Sequence, residues 1–475
     1  MVCCDDPERK ETRMHDDTAS LRSSLVDLCL DRITRFEDFA RAEESSLEDL
    51  LAMLASAMSE ALEIFDARLS ADKPEGWRVK DSRPRAVLTE FGEVAFSRRV
   101  YIDEFGDRRT YLDEIVSLRP RKRLSPGAFQ ALALFGAEIP YERAARALFR
   151  HCPHDVSAMT TMGTLRETGD LLEEEAAKRR EDLFENGLLP EARRESEELR
   201  VEADGIWVAL QKEARRGVEI KAMCAYEGKE DGRRIGCVHH ALVGGPRRFW
   251  EEGVAHLAGH YSLPVLKRCY TGSDGAGWCT MLADYLHGPE VVHKLDPWHV
   301  NRAIKAAFPD PEDVAPLLDL LNSGEVDELL DVLSLRLDTG FGDAAKTEAL
   351  IGYVENNRAS IEAEAPSMGT MEGTNAHLYA ARMKVWGGAW SIEGAGDMAR
   401  IRAALSSGEA LPVPQREQTF KVKDRKRRAA ISEKRRYGFG YEMVRSEGKG
   451  YEPPSGHLMP FSTRQPFRAM LNPLN

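Results

Sequence analysis

The sequence predicts a mixed α/β protein whose sheet is followed, before its last helix closes, by an all-helical segment. Two observations predict this. Between Leu199 and Asp296 the apolar pattern reads strand, strand, strand, helix, strand, helix, strand, and about 75 residues of helical periodicity come next. Three acids mark the ends of these elements, each followed at once by glycine: Asp204, Asp274 and Glu372.

In chain order, residues 1–18 are polar and are expected to lack structure, and residues 19–75 form a helical region. Leu25, Leu28 and Cys29, then Leu47, Leu50, Leu51, Leu54 and Met58, recur at helical spacing until Asp72-Lys-Pro-Glu-Gly76 breaks it. Residues 80–170 read as a small β-meander followed by helices. Arg85 to Val116 alternates in the strand manner, with turns at Phe91-Gly92 and Phe105-Gly106. Two short helices, Tyr141 to Arg150 and about Val156 to Thr168, flank His151-Cys-Pro-His-Asp155. They form either a helix-turn-helix, whose second helix would offer Thr160, Thr164 and Arg166 to a DNA groove, or an ordinary helical hairpin. A charged helix from Asp170 to about Glu185 follows.

The catalytic core is expected in two parts, residues 195–308 and 367–410, around an all-helical insertion over 309–366. The strands are read at Leu199 to Leu210, Val218 to Tyr226, Gly236 to Val243, Val265 to Thr271 and Val291 to Leu295, the helices at about Trp250 to Tyr261 and Gly277 to Leu286. A three-strand meander followed by helix, strand, helix, strand is the element order of the ribonuclease H-like fold, in which the first and fourth strands are neighbours. Asp204 on the first and Asp274 just beyond the fourth would then meet. Glu372 would open the closing helix, to about Val385, and return a third acid to the pair. Residues 411–475 read as a basic tail.

Bulk composition narrows the function. No apolar stretch approaches the roughly 18 residues of a membrane span, and the acidic start, Met-Val-Cys-Cys-Asp-Asp, lacks a signal-peptide core, so a cytoplasmic protein associated with the nucleoid is expected. The eight cysteines contain no Cys-x-x-Cys pair and no Cys/His block at zinc spacing, and read as reduced thiols that pack as small apolar residues. A net charge of −13 opposes a nucleic-acid partner, but residues 421–436 carry nine basic side chains against two acidic ones, 9 − 2 = +7. These are Lys421, Lys423, Arg425, Lys426, Arg427, Arg428, Lys434, Arg435 and Arg436.

Hard carboxylate oxygens on separate elements suit bound magnesium. In-line attack on a phosphodiester needs the nucleophile activated and the leaving charge absorbed, which two ions about 3.5–4 Å apart achieve. Asp204, on a central strand, is the expected bridging ligand, and the following glycines would admit a metal or a phosphate backbone. As dipeptides, Asp204-Gly205 and Asp274-Gly275 are equally turn formers, although Ile206, Trp207 and Val208 continue the strand. Glu372 also suits a first helical turn, with Thr370 as its cap. Asp296-Pro297 is a well-formed helix start that leaves His299 to either a site-adjacent or a core role. Trp386 and Trp390 fit core packing or stacking on an unpaired base.

These residues resemble the DDE transposases of bacterial insertion sequences, specifically the ISLre-type group, with looser similarity to Mutator-like transposases. The resemblance rests on Ala203-Asp204-Gly-Ile-Trp, Glu219-Ile-Lys, Tyr226-Glu-Gly, Ser273-Asp274-Gly-Ala-Gly-Trp, Leu295-Asp296-Pro-Trp-His299, Glu372-Gly-Thr-Asn375-Ala-His, Arg382-Met-Lys-Val-Trp-Gly and Trp390-Ser. It spans roughly residues 85–405. It implies that Asp204, Asp274 and Glu372 are a metal-binding catalytic triad, that Asp296 and His299 match an Asp-x-x-His element beside it, and that Asn375 is site-adjacent. It further implies two divalent ions (magnesium, or manganese in vitro), double-stranded DNA as element ends and target, and a homodimer or larger assembly on DNA. A ribonuclease H-like nuclease or resolvase without strand transfer, and a catalytically silent DNA-binding descendant, are the alternatives.

Overall fold

The computed structural model describes residues 7–36, 38–151, 156–366, 368–385 and 388–416, with side chains from residue 20 onward. The basic window 421–436 and Trp386 lie outside the described residues. Two compact units divide the chain near Leu165.

The first unit begins with helices α1 (Pro7–Arg35) and α2 (Phe39–Ala71), so the chain is already helical at Pro7, within the stretch expected to be unstructured. Strands β1 (Arg78–Thr89) and β2 (Gly92–Ile102) pair antiparallel, with the short β3 (Arg108–Arg109) on the edge of β2. Val87, Val94 and Phe96 bury one face of this meander with Leu112 and Leu118. The segment expected to end in strand at Val116 turns helical as α3 (Tyr111–Ile115), whose Asp113 is buried between Arg85 and Arg98 at 2.6 and 2.8 Å. Helices α4 (Pro126–Glu138) and α5 (Tyr141–Leu148) follow, α4 starting in proper form with Ser125 Oγ accepting from Ala128 N–H.

The expected short helix 156–168 and charged helix 170–185 are one 27-residue helix, α6 (Ala158–Phe184). Gly169 does not break it. A Cβ there would meet Asp397 at 2.5 Å, so the glycine admits a neighbouring side chain instead.

The second unit is built on a five-stranded sheet. Strands β4 (Glu198–Ala209) and β5 (Gly217–Tyr226) pair antiparallel over ten residues. A small hairpin not foreseen from sequence, β6 (Gly228–Glu230) and β7 (Arg233–Ile235), leads to β8 (Val238–Leu242). Helix α7 (Pro246–His260), strand β9 (Arg268–Ser273), a 3-10 turn at Cys279–Asp284 where a regular helix was expected, and β10 (Glu290–Leu295) complete it. The sheet order is β10-β9-β4-β5-β8, with β4, β9 and β10 mutually parallel. Leu199, Val201 and Ala203 of β4 join Phe249, Trp250 and Val254 of α7 in its core.

Helix α8 (Pro297–Ala307) leaves the sheet for the insertion, α9 (Pro311–Ser323), α10 (Val326–Asp338), α11 (Ala344–Asn356) and α12 (Arg358–Glu362). Leu317, Leu329, Leu333, Leu350 and Val354 give these helices a core of their own. The return to the sheet runs through α13 (Met371–Thr374), a π-helical turn at Asn375–Ala380, α14 (Ala381–Met383) and α15 (Ile392–Ser406). Trp390 Nε1 donates to Met383 O at 2.9 Å and the ring is 7% exposed, which places it in the core and not against a base.

Candidate active site

Strand register assembles the aspartates. Glu202 pairs with Gly272 across β4 and β9, and Gly272 with Lys294 across β9 and β10. Two residues further along the chain in each case come Asp204, Asp274 and Asp296, a row of three acids where the parallel pairing of β4, β9 and β10 ends, Asp274 and Asp296 just past their strands and Asp204 within β4, which runs on paired with β5. In open α/β sheets this is where ligands bind. The ladder extends one rung past β10, because Asp296 N donates to Ser273 O at 2.8 Å.

Glu372 arrives by a different route. Glu202 shares a sheet face with Asp204, two residues away, and its buried carboxylate collects four donors. Oε2 accepts from Gly369 N and Thr370 N, both at 2.7 Å, while Oε1 accepts from Thr370 Oγ1 and Tyr226 OH, both at 2.6 Å. The clamp pins the segment before α13 to β4, with Gly369 at φ +88 making the turn. Glu372 then lines the same cleft as Asp204, Asp274, Asp296 and His299. Asn375 Nδ2 donates to Asp204 Oδ2 at 2.7 Å from the π-helical turn, a winding that recurs at functional sites.

The glycines after the acids serve three separate purposes. At Gly205 a Cβ would stand 2.4 Å from Glu219 Oε1, so it is a side chain across the strand, and not a ligand, that takes the space. Gly275 has φ +86, and Ala276 N donates to Asp274 Oδ1 at 2.8 Å, so the turn reading holds alongside the site reading. Gly373 faces open space. The insertion braces the second aspartate, Tyr353 OH donating to Asp274 O at 2.7 Å.

Electrostatics favour a cation. Burial, then the neighbouring Asp274 carboxylate, push Asp204 up to about 7, with Glu372 adding to the effect. The Gly205 N–H and the Asn375 amide oppose it. Like charges sharing a cleft resist ionising together unless a cation joins them. Lys384, which the sequence reading passed over, faces Asp204 and Glu372, and burial pulls its own pKa down. The donor set is hard oxygen, the kind magnesium and manganese take. Asp204, Asp274 and Glu372 would hold the ions.

Asp296 accepts from Trp298 N at 3.0 Å and caps α8, while His299 Nε2 stands 4.0 Å from Asp296 Oδ2 in the cleft wall. The expected groove-binding set fares differently. Thr164 is 4% exposed and cannot face a groove, which corrects that assignment. Thr160 takes part in the α6 start through Ser157, and Arg166 NH2 donates to Ser391 Oγ at 3.4 Å. Lys294 was missed as well: it lines the cleft and donates to Ile361 O and Ala363 O. A Glu-x-Asp pair on one strand face was the signal for Glu202. Lys384 lies in the Arg382-Met-Lys-Val-Trp-Gly motif, with no role read from it there.

Residues 38–418 match the model of an uncharacterised protein family, UPF0236, and the chain belongs to that family. Among similar proteins, UPF0236 protein TTE2489 of Caldanaerobacter subterraneus subsp. tengcongensis is 24% identical over 368 residues, 74% of this chain and 75% of the relative. A relative in the same organism, 23% identical over 82% of each chain, carries a name that joins eleven designations. The UPF0236 protein in the vanSb 3′ region of Streptococcus gallolyticus is 23% identical over 77% of this chain and 82% of its own length. No helix among the described residues is long and apolar enough to cross a membrane.

Proposed function

We propose that this chain is a DDE-type transposase of the ISLre kind, built on a ribonuclease H-like core, that cuts DNA at the ends of an insertion sequence and joins them to target DNA. The observation that carries the reading is the convergence of Asp204, Asp274 and Glu372 on one cleft where the parallel pairing of β4, β9 and β10 ends. The strand order, with β4 between β5 and β9, supports the fold assignment. The relative whose name joins eleven designations in one organism is in keeping with a gene that has been copied.

Two divalent ions would activate the attacking oxygen and absorb the leaving charge. The protein's part is positioning. Asp204, held by Asn375 and Gly205 N–H, is the rigid central ligand, while Asp274 and Glu372 flank it from independently braced segments. Lys384 offers a cation toward Asp204 and Glu372, and His299 stands in the first turn of α8 beside Asp296. In the first step water attacks the phosphorus at an element end, releasing a 3′-hydroxyl and leaving a 5′-phosphate. In the second that 3′-hydroxyl attacks a target phosphodiester, and the displaced target strand leaves as a new 3′-hydroxyl. Bringing two ends together calls for a dimer or larger assembly on DNA, located with the nucleoid in the cytoplasm, with the basic residues 421–436 supplying phosphate contacts.

The test is cleavage and joining on a labelled DNA fragment carrying the flanks of the chain's own gene, with magnesium or manganese, comparing wild type with Asp274→Asn. Nicked and joined products in wild type, reduced at least about 100-fold in Asp274→Asn, are expected, since even supporting residues of metal sites are worth 10- to 100-fold. Cutting without joining would make the protein a nuclease or resolvase. Binding without cutting would make it a silent descendant.

A further inference from the structure

A second cluster of ligating side chains lies in the same unit, and the proposed DNA chemistry does not use it. Cys224 on β5 and His239 on β8 are registered cross-strand partners, and Cys237 is two residues before His239 on the same side. The β6–β7 hairpin folds the intervening chain away. At its end Gly236 has φ +65, and Tyr261 OH donates to Gly236 O at 2.7 Å, which fixes the approach of Cys237. The spacing, twelve residues between the cysteines and one between Cys237 and His239, matches no zinc signature, so only the register reveals the group.

We propose that Cys224, Cys237 and His239 form a binding site for zinc, with the fourth position left to water or another small ligand. Their ligand atoms all lie within 4.8 Å of one another, and Cys224 Sγ is 3.9 Å from His239 Nε2. Tetrahedral ligands at about 2.3 Å for sulfur and about 2.0 Å for nitrogen stand roughly 3.5–3.8 Å apart, so small side-chain movements close the site. His239 is 3% exposed, and its Nε2, the nitrogen 3.9 Å from Cys224 Sγ, is the atom that would face the ion. Arg234 NH1 donates to Cys224 Sγ at 3.0 Å, as groups behind metal ligands do. Cys237 is only half-buried, which leaves an entry path.

The other compact group nearby, His256, His260 and Glu409, offers nitrogen and oxygen only. There Glu409 is held down to about 2 against the pull of its own burial, by the His260 hydrogen bond and by the charges of His256 and Arg179. His256 Nε2 is buried without a hydrogen-bond partner there, but the group holds no sulfur. The sulfur site, in contrast, touches the working parts of the molecule. Arg234 NH1 reaches Thr374 Oγ1 at 2.8 Å and Thr370 Oγ1 at 3.4 Å, on the segment that carries Glu372.

The experiment is a titration of the reduced, metal-stripped full chain with cobalt(II), read by the thiolate-to-cobalt charge-transfer absorption that oxygen and nitrogen ligands do not produce. One cobalt per chain with that absorption, displaced by one zinc, is expected. Cys237→Ser should lose the absorption and exposed Cys29→Ser should keep it. A wild-type chain without the absorption overturns the site, whether its thiols stay free or have closed on one another. So does a Cys237→Ser chain, folded by circular dichroism, that retains it. None of these outcomes depends on DNA cleavage.

Discussion

Two buried acids in the same unit are treated in opposite ways. Glu252 on α7 is 1% exposed and sits between Arg248 and Arg400, at 2.5 and 2.8 Å, with Arg248 further tied to Glu173. Burial raises its pKa, but the two guanidiniums win and hold it below the ordinary carboxylate range. Asp204 on β4 has two neutral donors and two carboxylate neighbours, and rises to about 7. The first acid is complete within the protein. The second shares its cleft with Asp274 and Glu372 and has Lys384, whose own charge burial disfavours, to offset them, an imbalance that the proposed cations would relieve.

Removing the charge should therefore do opposite things at the two places. Glu252→Gln leaves Arg400 buried without its charged partner and Arg248 with Glu173 alone, and should destabilise the chain by about 3–5 kcal/mol in urea denaturation at neutral pH. Because the folded pKa of Glu252 is depressed, its contribution is present above the unfolded carboxylate value and lost as pH falls through the folded one. If Glu252→Gln is neutral, the arginine network is not the support it looks to be.

Asp204→Asn should do the reverse without metal, stabilising the chain at pH 8 by on the order of 2 kcal/mol. The folded pKa of Asp204 is raised to about 7, so the protonated form contributes stability below the unfolded value near 3.8, and this is lost as pH rises toward 7. The variant should flatten that part of the stability profile. Manganese should raise the melting temperature of wild type more than that of the variant.

The smallest effect sharpens the contrast within β4 itself. Glu202, two residues from Asp204, is satisfied by four donors and acts as a clamp. Tyr226→Phe removes one of the four and should cost about 1 kcal/mol of stability, with metal affinity changed less than by any substitution at Asp204. A large loss of metal binding in Tyr226→Phe would show that the clamp and the cleft are one device.

Much of this arrangement was legible in sequence, for identifiable reasons. Strands β4, β5 and β10 fall within about a residue or two of the expected positions because long β-rich runs with sharp ends leave little choice. Asp274 directly follows β9 as expected, whereas Asp204 lies inside β4, which continues to Ala209. Other features depended on tertiary packing. Gly169 looks like a helix breaker and instead lies inside α6, because Asp397 needs its missing side chain. Thr164 looks like a groove-facing polar residue and is interior. The helix expected over Gly277 to Leu286 is a short 3-10 turn at Cys279–Asp284. Glu202, Lys384 and the Cys224–Cys237–His239 group answer to strand register and to a returning helix, and no local period encodes those.

Asp204, Asp274 and Glu372 are proposed to hold divalent cations together, and calorimetric titration of manganese into the full chain tests this. Two manganese ions per chain in wild type, with binding weakened at least about 100-fold in Asp204→Asn, is the predicted result. Wild-type binding that survives unchanged in Asp204→Asn, or a wild-type chain that takes up no manganese, would contradict it.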